Sequence, residues 1–194
     1  MPHTHDEKEA LARAIKQRLE RLSAKDKSME GRVLSKRILE LVPPPPANIC
    51  AFVPLIDEVA IHPLLRTLLQ DGYTLYLPVF EGSLVFRQAT NLDTLKPGKF
   101  GIPEPSSAAP MLDEKAEVIA LVPGRAFTRS GDRMGRGNGG YDIWIRKKRA
   151  MSPLSQFWGV CHECQIVDSV PMEAHDEKVD RVITARGSMG ERVD

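Results

Sequence analysis

The chain is short of the features that would remove it from the ordinary globular class. It holds three cysteines in 194 residues, Cys50, Cys161 and Cys164. So few, and an odd number, exclude a disulfide framework. Cys161 and Cys164 form a C-x-x-C. A zinc site wants about four ligands and no second pair exists. No histidine follows Cys164 to complete a haem-attachment motif, so the spacing is read as coincidence. No apolar run approaches the roughly 20 residues that a membrane-spanning helix requires. The polar stretch Met1 to Glu9 lacks the apolar centre of a signal peptide, and a cytoplasmic protein is expected. Charge of one sign is missing too. The 27 basic and 26 acidic residues leave a formal net charge of +1, with no global field to draw in nucleic acid or a membrane surface. The local run Arg146-Lys147-Lys148-Arg149 reads as a solvated helix end, where positive charge is favourable. Aromatic residues make up 6%, and Trp144 and Trp158 read as packing residues. No Gly-Lys-Ser/Thr ending is present, which excludes a P-loop.

What the chain does have is an alternation of amphipathic stretches and short apolar runs. Leu11, Ile15, Leu19 and Leu22 recur at helical spacing, and Thr4 or Asp6 suits the start of that helix. Ser23, with Asp26 three residues on, suits the cap of a second helix that sets Met29, Val33 and Ile38 on one face. Pro43 to Pro46 end it. Strands are expected at Ile49–Val53, Thr74–Pro78, Leu84–Arg87, Val118–Val122, Phe157–Val160 and Arg181–Thr184. Pro63 opens a helix that Gly72 stops. Lys96 to Pro110, rich in proline and glycine, is expected to be mostly loop. The pattern implies an α/β fold: a single-domain, open, mainly parallel sheet with helices on both faces. That domain is expected to take in residues 1–194, with 1–42 as N-terminal helices packed on the sheet and 186–194 as a disordered tail. Size and near-neutral charge permit a monomer. In such sheets ligands bind beyond the carboxyl ends of the strands.

The loop after Val118–Val122 is the most informative stretch. Between Gly131 and Gly140 five of the ten residues are glycine. Such a backbone turns tightly and brings amides close to a ligand. Arg133 and Arg136 add cations, and amides with guanidinium groups make a cradle for phosphate oxygens. A helix beginning near Tyr141 would aim its N-terminus at the same anion. Asp142 is a hard oxygen donor of the kind magnesium takes. Gly135, Gly137 and Gly140 satisfy G-x-G-x-x-G, but a dinucleotide fold wants that motif directly after a strand, and about a dozen residues intervene. The competing reading is a surface loop without a ligand.

From Arg133 to Asp142 the loop reads Arg-Met-Gly-Arg-Gly-Asn-Gly-Gly-Tyr-Asp. It resembles the R-L-G-R-G-x-G-Y-Y-D signature of 5-formyltetrahydrofolate cyclo-ligases, also called methenyltetrahydrofolate synthetases. Val122-Pro123-Gly124 and Ala126-Phe127 match as well. The similarity runs over nearly the whole chain: Lys8 in the first helix, Phe52-Val53-Pro54 followed by Glu58, Phe100-Gly101-Ile102-Pro103-Glu104-Pro105, then Gln165, Val167-Asp168, Pro171, His175-Asp176 and Val179-Asp180. The shared order and spacing are more specific than any one segment.

The resemblance implies a reaction. Mg-ATP closes 5-formyltetrahydrofolate into 5,10-methenyltetrahydrofolate: the formyl oxygen is phosphorylated, the neighbouring folate nitrogen attacks the activated carbon, and phosphate leaves. It also implies roles. Arg133 and Arg136 are the catalytic cations that neutralise the moving phosphoryl group. Lys8 and the loop residues Arg133, Met134, Gly135, Arg136, Gly137, Asn138, Gly139, Gly140 and Tyr141 hold ATP. Val53, Glu58, Phe100 and Tyr141 meet the folate, and Asp142 and Asp176 hold magnesium. The chain departs from the family pattern in places. Ala12 stands where an arginine is usual, with Arg13 beside it. Gly140 replaces the first tyrosine, Thr128 a frequent aspartate, and Arg125 an apolar residue. A second reading, a non-catalytic folate- or nucleotide-binding relative, draws on Ala12 and Gly140. The retained Arg133, Arg136, Asp142 and Asp176 speak against it.

Overall fold

The computed structural model describes residues 4–98 and 101–190. Its helices are α1 (Thr4–Glu20), α2 (Ala24–Leu41), α3 (His62–Gln70) and α4 (Gly140–Met151). Its strands are β1 (Asn48–Cys50), β2 (Thr74–Phe80), β3 (Leu84–Ala89), β4 (Lys96–Pro97), β5 (Pro103–Glu104), β6 (Ile119–Val122), β7 (Ala126–Phe127), β8 (Arg133–Met134), β9 (Gln156–Val160), β10 (Arg181–Ile183) and β11 (Ser188–Gly190). Seven strands form the main sheet in the order β11-β10-β9-β6-β1-β2-β3. The strands from β10 across to β2 run parallel, and β11 and β3 pair antiparallel at the two edges. The expected α/β class, mainly parallel with helices on both faces, is what folds.

The period of two along each strand decides which helix covers which face. Ile49, Leu75, Leu77, Leu121, Trp158 and Ile183 enter one core with Leu34 and Ile38 of α2 and Leu64, Leu65 and Leu68 of α3. Cys50, Ala120, Val122, Phe157 and Val182 enter the opposite core with Ile145 of α4. Neither face is left to water. No described helix is long and apolar enough to cross a membrane.

Several expectations are corrected. The apolar run Ile49–Val53 pairs only through Cys50. The Ala51 amide still donates to the Tyr76 carbonyl at 2.9 Å, and the chain then leaves the ladder. Phe52 and Val53 are apolar because the departing loop is buried. Ser23 does cap α2, accepting from the Asp26 amide at 3.1 Å. The inward stripe of α2, however, is Gly31, Leu34, Ser35 and Ile38, while Met29 and Val33 face solvent. Small residues let α2 approach closely: a Cβ on Gly31 would stand 2.7 Å from the Ala60 carbonyl oxygen. α1 packs beside the sheet instead of on it, joining Ile15 and Leu19 to Ala126, Met134 and Val170. Residues 188–190 of the expected tail form β11, which pairs with β10 and extends the sheet. The basic run is a solvated helix end only in part: Arg146 and Lys147 are exposed, but the rest of the run is engaged. Lys148 is 3% exposed and donates to the Asp113 and Glu114 carbonyls, each at 2.9 Å. Arg146 and Arg149 hold Glu177, and Arg149 also holds Asp180.

Candidate active site

β1 sends its chain to β2 on one side, and the chain later returns as β6 on the other. The loops leaving β1 and β6 therefore part and open a crevice at the carboxyl ends of the strands. Phe52, Val53, Leu55 and Glu58 follow β1, and Pro123 to Asp142 follow β6. Both segments line one cleft of about 150 Å³, together with Pro78, Val79 and Phe80 from the end of β2, Leu84, Ile102 and Glu104.

The inner wall is an ion pair. Arg133 is 3% exposed, and its Nη2 donates to Asp142 Oδ1 at 2.6 Å. Its guanidinium lies 5.9 Å from the Tyr141 ring centroid. Its Nε is buried with no hydrogen-bond acceptor among the described residues. Asp142 Oδ1 also accepts from the Glu177 amide at 3.0 Å, which seats the 173–177 turn on the start of α4. Burial pushes the Tyr141 phenol well above its ordinary value, and its ring sits edge-on to Phe86 and Trp144.

The rim is a second, more open cation. Arg136 Nη2 meets Asp57 Oδ1 at 2.5 Å and Glu58 Oε1 at 3.1 Å. The Leu55 amide donates to Glu58 Oε2 at 2.9 Å. Burial raises the Glu58 carboxyl above its ordinary 4.5, against the Leu55 amide and Arg136. Burial also pushes Asp57 up, but the bond and charge of Arg136 outweigh it and leave that carboxyl below 3.8. Gly137 and Gly139 hold φ of 93° and 63°, values that side chains beyond glycine rarely adopt. Gly139, the N-cap of α4, has no side chain to cap the helix itself. The Gly140 amide donates to Asn138 Oδ1 at 3.3 Å, so Asn138 satisfies the first amide of α4, and the positive end of the helix lies at the glycine loop.

Lys8 stands apart from this cleft. Its Nζ meets Glu173 Oε2 at 2.7 Å and Asp176 Oδ2 at 2.6 Å. Burial opposes its charge, but the two carboxylates prevail and raise its pKa above 10.5. Burial likewise acts against the Asp176 carboxylate, while Lys8 and the Glu173 amide hold it below 3.8. Glu173, His175 and Asp176 place ligand atoms within 4.8 Å of one another. Two carboxylates and an imidazole are a donor set that fits a divalent cation. Asp142 does not belong to that cluster.

Residues 4–185 match the model of the 5-formyltetrahydrofolate cyclo-ligase family. The chain belongs to the 5-formyltetrahydrofolate cyclo-ligase family. It is 33% identical over 152 residues to the 5-formyltetrahydrofolate cyclo-ligase of Mycolicibacterium smegmatis, covering 72% of this chain and 74% of that protein. The Escherichia coli K12 cyclo-ligase is 27% identical over 176 residues, covering 88% and 96%. The solved 5,10-methenyltetrahydrofolate synthetase of Aquifex aeolicus superposes with a TM-score of 0.81 at 24% identity, covering 96% of this chain and 94% of that one. That likeness concerns the fold.

Of the residues singled out from the cyclo-ligase signature, the cleft brings together Val53, Glu58, Arg133, Gly135, Arg136, Asn138, Gly139, Gly140, Tyr141 and Asp142. Gly137 lies in the same loop. Met134 is different: it is 4% exposed and packs with Ile15 and Leu19, so its side chain serves the core under α1. Phe100 lies outside the described residues. Sequence reasoning missed Asp57, Leu55, Leu84 and the residues ending β2. The apolar ones look like core on any strand pattern, and only the sheet order puts them at the crevice. Two cyclo-ligase departures are absorbed locally. Ala12 packs against the core under α1, and Arg13 pairs with Glu9 of its own helix at 3.5 Å. Thr128 is buried and bonds to Asp132 through its Oγ1, holding the turn before β8.

Proposed function

We propose that the protein catalyses the ATP- and magnesium-dependent closure of 5-formyltetrahydrofolate to 5,10-methenyltetrahydrofolate, releasing ADP and phosphate, as a monomer of the cytoplasm. The observation that carries this reading is the contact between Arg136 and Glu58. It sets the glycine loop, suited to phosphates, against a buried acceptor suited to the pterin, in one cleft. Glu58 accepts from the N–H groups of the pterin ring, and Val53 and Tyr141 line the ring's pocket. The triphosphate lies along 135–140 and at the N-terminus of α4. Arg136 exchanges its carboxylates for the moving phosphoryl group, which is a task of positioning and charge. Arg133, fixed by Asp142, offers its buried Nε–H to the same group.

Asp176 and Asp142 would hold magnesium, directly or through water, with Glu173 and His175 beside Asp176 as further donors. A magnesium ion held there would supply charge neutralisation for the transferred group. Lys8, now paired with Glu173 and Asp176, would reach the terminal phosphates if those carboxylates turned to the metal. The formyl oxygen is phosphorylated, the adjacent ring nitrogen closes on the carbon, and phosphate departs. The apolar wall of Phe52, Val53 and Ile102 keeps water from the activated carbon. The test is growth of the methenyltetrahydrofolate absorbance band from 5-formyltetrahydrofolate and Mg-ATP, set against a sample without ATP. ATP-dependent growth is expected, and a flat trace with folded protein would overturn the assignment.

A further inference from the structure

Gly140 is not explained by its backbone. Its φ is not in the left-handed range, unlike those of Gly137 and Gly139. A Cβ there would stand 3.6 Å from Leu84 Cβ and 3.7 Å from Asn138 Oδ1, both ordinary contacts. Glycine is also a poor helix former at the start of α4. The position tolerates a side chain and has none.

What the missing side chain does is visible in the cavities. A second cleft lies between β3 and α4, and it shares Phe80, Leu84, Asn138 and Gly140 with the first. A Cβ on Gly140 would lie 3.6 Å from Leu84 and 3.7 Å from Asn138, both of which line the two clefts. The second cleft has an aromatic wall, Trp144 against Phe86 with centroids 4.2 Å apart. Three large apolar side chains flank it in contact with water: Met111 is 54% exposed, Ile143 68% and Met151 40%. At its edge Lys147 pairs with Glu114 on the open surface, where an ion pair exchanges partners readily.

We propose that Gly140 joins the two clefts and that the annex so opened takes the aryl-amide and carboxylate end of the folate substrate. The aminobenzoyl ring lies on Trp144 and Met111, and the glutamyl carboxylates reach Lys147. This rests on the reading that the pterin occupies the first cleft at Glu58. The ring is apolar and flat, and the annex wall is aromatic and apolar; of the two described lysines that line it, Lys148 is buried on backbone carbonyls and Lys147 is open to water, where the acid emerges. Gly140 is then a specificity-determining residue: it fixes how much of the substrate beyond the pterin the protein holds.

The probe for the annex alone is p-aminobenzoyl-glutamate, titrated into ATP-free protein and followed by tryptophan fluorescence. A saturable change is expected, lost in Trp144→Phe and in Gly140→Tyr. The second readout is the preference, as a ratio of kcat/KM, for 5-formyltetrahydrofolate over a 5-formyltetrahydropterin without the tail. Gly140→Tyr and Ile143→Asp are each expected to reduce that ratio about tenfold, the usual scale of one lost apolar contact. Gly140→Ala, with one methyl in ordinary contact, is expected to keep it. An unchanged ratio in both Gly140→Tyr and Ile143→Asp would overturn the annex, as would fluorescence titration that survives Gly140→Tyr. Probe binding without any methenyl product would leave the annex standing and remove the proposed reaction. Product formation without probe binding would do the reverse.

Discussion

Arg133 and Arg136 carry the same side chain three residues apart and do different work. Sequence alone gave them one role, because spacing shows charge and not burial. Arg136 is a third exposed, with both its partners on the loop after β1. Arg136→Ala is expected to lower kcat by about 10²–10³-fold, the scale of one lost transition-state donor. The absorbance assay reads it, and parental kcat would remove Arg136 from the phosphate cradle. Arg133 is buried with Asp142, so Asp142→Asn leaves a guanidinium without its counter-charge. Breaking one side of such a pair costs about 3–5 kcal/mol, and urea unfolding should show a loss of that order. A variant as stable as the parent but weaker for magnesium would place the work of Asp142 at the metal. Glu58 carries a pH prediction. Its carboxyl sits above 4.5 mainly through burial. The carboxylate proposed to accept from the pterin is therefore lost as pH falls through that raised value, and folate affinity should decline at a higher pH than for an exposed glutamate. Stability has the opposite sign, since the folded state holds this proton more tightly and loses that advantage as pH rises through the shifted value. Folate titrations across acid pH, parent against Glu58→Gln, check the first, because the glutamine variant should lack the dependence.

The elements of the sheet were legible because their apolar runs are short, bounded by glycine or proline, and alternate with helical stretches. β2, β6, β9 and β10 sit within a residue or two of where the pattern puts them. Misreadings came where burial and pairing part company. Phe52 and Val53 look like strand because a buried loop needs apolar side chains as much as a strand does. β11 was invisible: Ser188, Met189 and Gly190 have no strand signature, and an edge strand held on one side asks little of its sequence. The face of α2 was misread because glycine and serine do not register as apolar, although Gly31 and Ser35 are both buried and Gly31 lies close to the Ala60 backbone. Gly31→Ala tests this. Alanine would gain about 1 kcal/mol of helix propensity. Its methyl would stand 2.7 Å from the Ala60 carbonyl oxygen, which belongs to backbone and yields little. Overpacking of that kind costs about 1–3 kcal/mol, so a net loss in unfolding free energy is expected. A gain would show that the segment around Ala60 gives way.

Across the whole molecule, Lys8 in α1 meets residues near the other end of the chain. Its Nζ lies between Glu173 and Asp176, and the 173–177 turn rests in turn on Asp142 at the cleft. The partners are 165 and 168 residues away in sequence. Motif order could supply Lys8 and Asp176 separately, but nothing in one sequence says that they touch. The contact has a pH signature. Asp176 lies below 3.8 in the folded chain, so its contribution is present above that value and disappears as pH falls through the depressed one. Lys8 lies above 10.5, so its contribution is complete below that value and disappears as pH rises through the raised one. The stability difference between the parent and Lys8→Met should therefore be flat across the middle of the pH range and shrink at both ends. Urea unfolding at a series of pH values measures it, and a difference that stays level at the acid end would remove Asp176 as the partner. On the proposed function, the same lysine would link this clamp to the nucleotide. If magnesium takes the two carboxylates, Lys8 is released toward the phosphates, and the ion pair lost on binding is replaced by another. Mg-ATP should then raise the Tm of the parent by more than it raises that of Lys8→Met. Equal shifts would confine Lys8 to holding α1 in place.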